Sequence, residues 1–350
     1  MRLIILLLLV PHIRADGDAP NRTAVVFVAV PSQDIPADAA LRQAVRQTWA
    51  PALERGGGAL RFFVERPLRI REELVVVLDD AALRAALGHA RFVRTASVAR
   101  EALLDKPPDR KYGCGSTRWT DFVVGMAGWA RRHFRFDWWL RLDADVVLCV
   151  EHTLAALRRP PFAPLGARVV YAGHAAHAYH RRLCAVDEFF LLLSAGAARE
   201  LVRAWAGRAR WSGPALGSTL AVNLPSILRG APLRSVEAYD SARLLVFDVR
   251  APGADVGAGA CTRVLALHKY KSPDELIQAH GRAARMPENW AWQPTPAAWR
   301  PVLKNGSARC GRGAMRRSPI ATGGTPPRGV VIKLCVVNST CSQIRSARRA

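Results

Sequence analysis

The chain has 350 residues, half of them apolar, which supports a substantial core and excludes a disordered chain. Its 51 Lys and Arg against 28 Asp and Glu leave a net charge of +23, yet only six of the basic residues are Lys. An Arg-, Ala-, Gly- and Pro-rich composition of this kind follows GC-rich codon usage, so the charge does not mark a nucleic-acid binder and no nucleic-acid partner is expected.

The first element in chain order is Met1-Arg2 followed by the unbroken apolar run Leu3–Val10, Pro11, and a polar stretch ending near Ala15 and Asp16. Residues 1–15 therefore read as a signal peptide or the remnant of a signal anchor. The run is too short to span a bilayer, which takes about 20 apolar residues. Membrane association would follow if an anchor segment is missing upstream. Three of the five Asn open N-x-S/T sequons, at Asn21, Asn305 and Asn338, which agrees with secretion. The seven Cys show no zinc spacing, and in an oxidising lumen some would pair, with at least one left over. Their connectivity is not legible.

Residues 23–30 (TAVVFVAV) suit a strand buried on both faces, and Asp38–Leu53 has helical periodicity. Strands are expected at Leu60–Val64 and Leu74–Leu78, and helices at Ala81–His89 and Asp121–His133. Trp138–Leu142 reads as a short strand running into Asp143-Ala144-Asp145. Strands at Val169–Gly173 and Phe189–Leu193, a helix around Ala197–Ala206, and strands near Leu244–Val249 and Val264–Leu267 complete the pattern. This alternation predicts an α/β fold with a mostly parallel central sheet flanked by helices, filling residues 20–300. Residues 304–350 turn to Gly, Pro, Ser and Arg, and little order is expected there beyond Val330–Val337. Residues 301–350 hold ten Lys or Arg and no acid, so attraction to polyanions belongs mainly to that tail.

The sharpest local signal is WWLRLDADVVL, residues 138–148. In an extended chain Asp143 and Asp145 project the same way, from the carboxyl end of a strand, where α/β sheets bind ligands. Two convergent carboxylates offer hard oxygen ligands for Mn²⁺ or Mg²⁺, which in turn can hold a diphosphate. Departure of a nucleoside diphosphate from a sugar needs that charge neutralisation. D-x-D also occurs by chance in surface turns. An apolar strand ending in D-x-D-x-V further resembles the nucleophile motif of haloacid-dehalogenase-type phosphatases. That chemistry needs a downstream Lys and then an acidic pair, and no such order follows here.

Several segments in order resemble the family-31 β1,3-glycosyltransferases, which include galactosyl-, N-acetylglucosaminyl- and fringe-type enzymes. Arg42-Gln43-Ala44-Val45-Arg46-Gln47-Thr48-Trp49 is similar to their R-x-x-x-R-x-T-W element after the first strand. Arg61–Val64, Tyr112-Gly113-Cys114, the helix from Asp121 and Phe136–Trp139 resemble the family's second strand and the approach to its metal motif. Cys184–Ser194 resembles the later strand ending in L-S, and His268–Pro273 resembles the late H-x-x-K-S/T-P segment. Together the matches cover roughly residues 23–285.

This resemblance implies a GT-A-type nucleotide-sugar-binding fold, a UDP-sugar donor, Mn²⁺ or Mg²⁺ as cofactor, and inverting transfer of a hexose or N-acetylhexosamine to a glycan or glycoprotein acceptor through a β1,3 link. It also implies the Golgi lumen or membrane, with secretion as the alternative. By the same resemblance Asp143 and Asp145 hold the metal diphosphate, His268 is a third metal ligand, and Arg42 and Arg46 lie beside the nucleotide. Either Arg could instead line a solvated face, a lone His is often structural, and Trp49 reads as a core anchor.

Two departures stand out. The family commonly has three consecutive acids where this chain has Asp143-Ala144-Asp145. Its general base comes from a Glu-Asp element, yet the corresponding stretch Pro214–Leu224 contains no acid. Asp187 and Glu188 are the nearest substitutes, with Glu237 and Asp240 next; each could equally flank a strand. The missing acid also raises a rival from another class, a non-catalytic binder of nucleotide sugar or glycan. A third reading is a basic secreted protein that binds acidic polysaccharide through its tail, in a salt-sensitive way.

Overall fold

The computed structural model describes residues 22–66, 70–88, 117–163, 168–176, 185–207, 236–241, 244–246, 248–254, 256–285, 299–304, 307–308, 333–335 and 341–343. The leader at 1–15 and the three sequon asparagines, Asn21, Asn305 and Asn338, lie outside them, as does most of the basic tail.

β1 (Arg22–Ser32), β2 (Ala59–Glu65), β3 (Val75–Leu78) and β4 (Phe134–Leu142) are all parallel and lie side by side as β3-β2-β1-β4. Chain order continues with β5 (Val146–Leu148), β6 (Val169–Ala176), β7 (Ala185–Ser194) and β8 (Val236–Asp240). β9 (Leu245–Val246), β10 (Ala266–His268), β11 (Arg300–Lys304) and β12 (Ser307–Ala308) follow. The main sheet runs β12-β11-β8-β6-β7-β4-β1-β2-β3, and β5-β10-β9 form a second, small sheet. β13 (Lys333–Cys335) and β14 (Cys341–Gln343) pair with each other.

The expected α/β class holds, but the main sheet is mixed rather than mostly parallel. β7 runs antiparallel to both β4 and β6, and β11 runs antiparallel to β8 and β12. β4 and β6 are each antiparallel to β7 and so run the same way, and with β1, β2, β3 and β8 they share one carboxyl edge.

Both faces of the sheet are covered by helices. α1 (Pro36–Gln47), α2 (Ala50–Arg55), α3 (Asp80–Leu87), α4 (Thr117–His133), α5 (Val150–Leu157), α6 (Ala195–Gly207) and α7 (Pro273–Ala283) divide between them. Strand alternation builds the two cores. Val26, Val28, Val30, Trp138, Leu140 and Leu142 face one cluster with Leu41, Leu53, Leu154 and Leu276 from α1, α2, α5 and α7. Phe27, Ala29, Trp139, Leu191 and Leu193 face the other, with Leu83, Phe122, Met126 and Leu201 from α3, α4 and α6. The continuous apolar reading of β1 and β4 follows from this two-sided burial.

The single helix expected over Asp38–Leu53 is two helices. Pro51 has no N–H to continue the ladder, and the Thr48 hydroxyl donates to the Ala44 carbonyl at 2.7 Å, closing α1. The expected strand at Leu244–Val249 shrinks to Leu245–Val246. α7 was not among the expected elements, although Ser272 and Glu275 make a capping box around Pro273 that marks its start. Among the described residues no helix is long and apolar enough to cross a membrane.

Candidate metal centre

β4 ends at Leu142 and delivers Asp143 to the carboxyl edge of the sheet; one turn later the chain re-enters structure as β5. β10 lies antiparallel to β5 with His268 opposite Val146, the residue after Asp145. The pairing carries on through the Tyr270 N–H, which donates to the Asp145 carbonyl at 3.2 Å. Backbone register alone therefore brings His268 to the Asp pair across more than a hundred residues.

Two further ties hold that register. A Cys149–Cys261 disulfide joins the end of β5 to the segment before β10. Behind it, buried His152 and Thr153 at the start of α5 hydrogen-bond the carbonyls of Val264 and Leu265 at 3.0 and 3.3 Å. The pairing of 149 with 261 was not legible in the sequence.

At the centre, His268 Nε2 lies 3.3 Å from Asp143 Oδ2 and 3.1 Å from Asp145 Oδ1. Asp143 is partly exposed, whereas Asp145 and His268 are buried. The imidazole stacks on Phe189 of β7, with centroids 4.5 Å apart and planes 3° apart, which fixes the ring. Buried Arg141 donates to Asp143 Oδ1 at 2.8 Å, and Lys271 bonds Asp145 Oδ2. Each of the two carboxylates thus has a cationic partner, which buried Asp145 in particular requires.

Burial alone would push the Asp143 carboxyl up. Arg141, then His268 and Lys271, override it and hold that carboxyl well below the usual carboxylate range. Asp145 moves the same way, with burial opposed by His268 and Lys271. Burial works against the His268 imidazolium, but the two carboxylates win and raise its pKa.

The residues fit a divalent ion. Asp143, Asp145 and His268 each offer one ligand atom, all within 4.8 Å of one another. Two carboxylate oxygens and an imidazole nitrogen are a donor set that suits Mn²⁺.

The two expected arginines make their contacts away from this group. Arg42 is buried and donates to Ser32 Oγ at 2.7 Å and to the Gln33 carbonyl at 2.9 Å, clamping the turn that leaves β1 at the carboxyl edge. Arg46 pairs with Glu72 and lies over the Phe62 ring. The partners of both arginines lie outside the Asp143–Asp145–His268 group. Trp49 is fully buried, the core anchor expected of it, and its indole N–H reaches the Val146 carbonyl.

The backbone of Asp187 and Glu188 belongs to the first half of β7, at the end that passes Leu142 towards Asp143. Their side chains lie outside the described residues. Glu237 is the second residue of β8, at the end of the strand away from that edge, and is bound by Arg168 and Tyr239. Asp240 closes β8 at the carboxyl edge. Two residues missed from sequence belong to the site, Arg141 and Lys271. The signal for the first was a buried-strand position two before Asp143; for the second, the Lys inside His268-Lys269-Tyr270-Lys271.

No protein-family model matches the chain, and no curated protein matches it. Solved structures overlap it partly. One is a glycosyltransferase involved in the glycosylation of the major capsid of PBCV-1, at a TM-score of 0.36 and 12% identity over 73% of this chain and 98% of that one. The galactosyltransferase LgtC, in complex with donor and acceptor sugar analogues, gives a TM-score of 0.35 and 11% identity over 75% of this chain and 98% of that one. An active-site mutant of LgtC gives 0.36, 11%, 75% and 98%. At this overlap and identity the likeness assigns no chemistry to the chain.

Proposed function

We propose that this chain is a metal-dependent glycosyltransferase of GT-A type, moving a hexose or N-acetylhexosamine from a UDP-sugar to a glycan or glycoprotein acceptor with inversion. The observation that carries the reading is the convergence of Asp143, Asp145 and His268 at the carboxyl edge of an α/β sheet. The ordered resemblance to the family-31 enzymes supports it and suggests a β1,3 link. The Cys149–Cys261 disulfide, the sequons and the apolar leader support a lumenal, Golgi-type setting.

In this reading Asp143, Asp145 and His268 hold Mn²⁺ or Mg²⁺, which when bound neutralises charge on the departing diphosphate. Phe189 and the β5–β10 register orient the imidazole. Arg42 fixes the turn after β1 beside which the nucleotide lies, and Arg46 acts through the same helix. The acceptor hydroxyl oxygen attacks the anomeric carbon as the bond to UDP breaks. Its proton passes to a carboxylate, assigned to Asp187 or Glu188.

The test is a screen of UDP-sugars for Mn²⁺-dependent UDP release, run on wild type and on Asp145→Asn. The wild type should release UDP from at least one donor, and the variant should lose metal-dependent UDP binding. Unaltered UDP affinity in the variant would sink the proposal. A wild type that binds UDP with Mn²⁺ but neither transfers nor hydrolyses any donor would identify a binding protein, the reading raised by the acid-free stretch at 214–224.

A further inference from the structure

The turn at Asp143–Asp145 carries two carboxylates, and the chain has set two permanent cations against them. Arg141 holds Asp143 and Lys271 holds Asp145. A divalent ion entering that group meets charge already partly offset, so a cation free to leave competes with it for the carboxylates.

The two cations differ in freedom. The Arg141 side chain is 4% exposed, within β4 two residues before Asp143. The Lys271 side chain is 45% exposed, on a flexible four-carbon stem. Its backbone, in contrast, is tied. The Lys271 N–H donates to Glu275 Oε2 at 3.1 Å, and Ser272 caps α7. Lys269, at φ +90°, turns the chain between His268 and Lys271, so both reach one carboxylate. His268 takes Asp145 Oδ1 and Lys271 takes Oδ2. Only the Lys271 side chain is placed to move.

We infer that Lys271 is the resident cation of the metal-free site: its ammonium occupies Asp145 until a divalent ion displaces it towards solvent. The inference rests on the metal reading above and deepens it. Lys271 is then a positioning residue that keeps Asp145 ordered without metal and sets the concentration at which metal enters.

The test is a calorimetric Mn²⁺ titration of the full chain without donor, on wild type, Lys271→Met and Asp145→Asn, with unfolding midpoints measured in chelator. Lys271→Met should bind Mn²⁺ about tenfold or more tightly than wild type, since the competing charge-assisted bond is gone. In chelator its midpoint should fall below wild type, and saturating Mn²⁺ should close the gap. Lys271→Arg, which keeps the charge, should not gain affinity. A wild type that binds Mn²⁺ while Lys271→Met binds equally or more weakly overturns this inference and leaves the metal reading intact. If folded wild type and Lys271→Met both fail to bind Mn²⁺ and Mg²⁺, the metal reading falls and this inference with it. Should Lys271→Met not fold, Lys271→Gln carries the same comparison.

Discussion

The indole N–H of Trp49 donates to the backbone carbonyl of Val146 at 3.0 Å, across 97 residues of chain. Val146 follows Asp145 directly and faces His268 in the β5–β10 register. One buried side chain at the α1–α2 junction therefore pins the strand on which the candidate metal centre is hung. Replacing it with Phe keeps most of the apolar bulk and removes the donor. Trp49→Phe should cost about 1–3 kcal/mol in denaturant unfolding, the penalty for a buried acceptor left without its partner. It should also weaken Mn²⁺ binding, because β5 loosens. Unchanged stability would mean that the bond contributes nothing.

His268 separates metal affinity from donor affinity. Its Nε2 faces both carboxylates, and its ring is stacked on Phe189 rather than on any surface open to a nucleotide. His268→Ala should raise the Mn²⁺ concentration needed for UDP binding by more than about tenfold, since even outer-shell partners of a metal ligand are worth that much. At saturating Mn²⁺ the donor requirement should change far less. Equal shifts in both would remove the imidazole from the metal.

The base is a matter of which β7 carboxylate works. Asp187 and Glu188 share the stretch of β7 nearest the Asp pair by backbone register, and adjacent residues on a strand project to opposite faces. Only one can serve. Asp187 has the shorter side chain and fewer rotamers to freeze. Asp187→Asn should cut transfer by about two orders of magnitude or more with donor binding intact, and Glu188→Gln should do much less. Steady-state transfer rates beside UDP binding isotherms decide it. Full transfer in both variants would move the base to Asp240, because Glu237 lies at the other end of β8.

Acid stability should report on the cluster beside β6 and β8. Arg168 donates to Glu237 Oε1 at 2.7 Å, and the Tyr239 hydroxyl donates to Oε2 at 2.6 Å. The Arg168 hydrogen bond outweighs burial and holds the Glu237 carboxyl below its ordinary 4.5, while burial and that carboxylate push Tyr239 up to about 12. A depressed acid pKa stabilises the fold above the unfolded value and loses that contribution as pH falls through the lower folded value. The wild-type unfolding temperature should therefore drop below pH 4.5 more steeply than that of Glu237→Gln. Parallel acid limbs in the two proteins would show that the ion pair adds nothing.

Much of this architecture was legible in local pattern. β1, β2, β4 and β7 are recognisable because strands buried on both faces lose their polar alternation and read as apolar runs. The Asp143–Asp145 pair stood out for a related reason, as charge placed abruptly at the end of such a run. What escaped were elements defined by partners distant in sequence. β5 and β8 are short and have no period of their own, and the direction of β7 depends on neighbours that no local signal names. Pro51 was present in the expected helix over Asp38–Leu53, yet periodicity ran across the break that it and Thr48 make.

The same division runs through the site. Sequence by itself singled out the two carboxylates by their place directly after a strand, although a turn at 144–145, and not the strand alternation expected, brings them together. Tertiary structure decided what they meet. His268 arrives through the β5–β10 register and the Cys149–Cys261 link, Arg141 by lying inside β4, and Lys271 by the turn at Lys269. Such contacts are set by how strands pair and where burial forces charges to find partners, and neither is encoded within a window of a few residues.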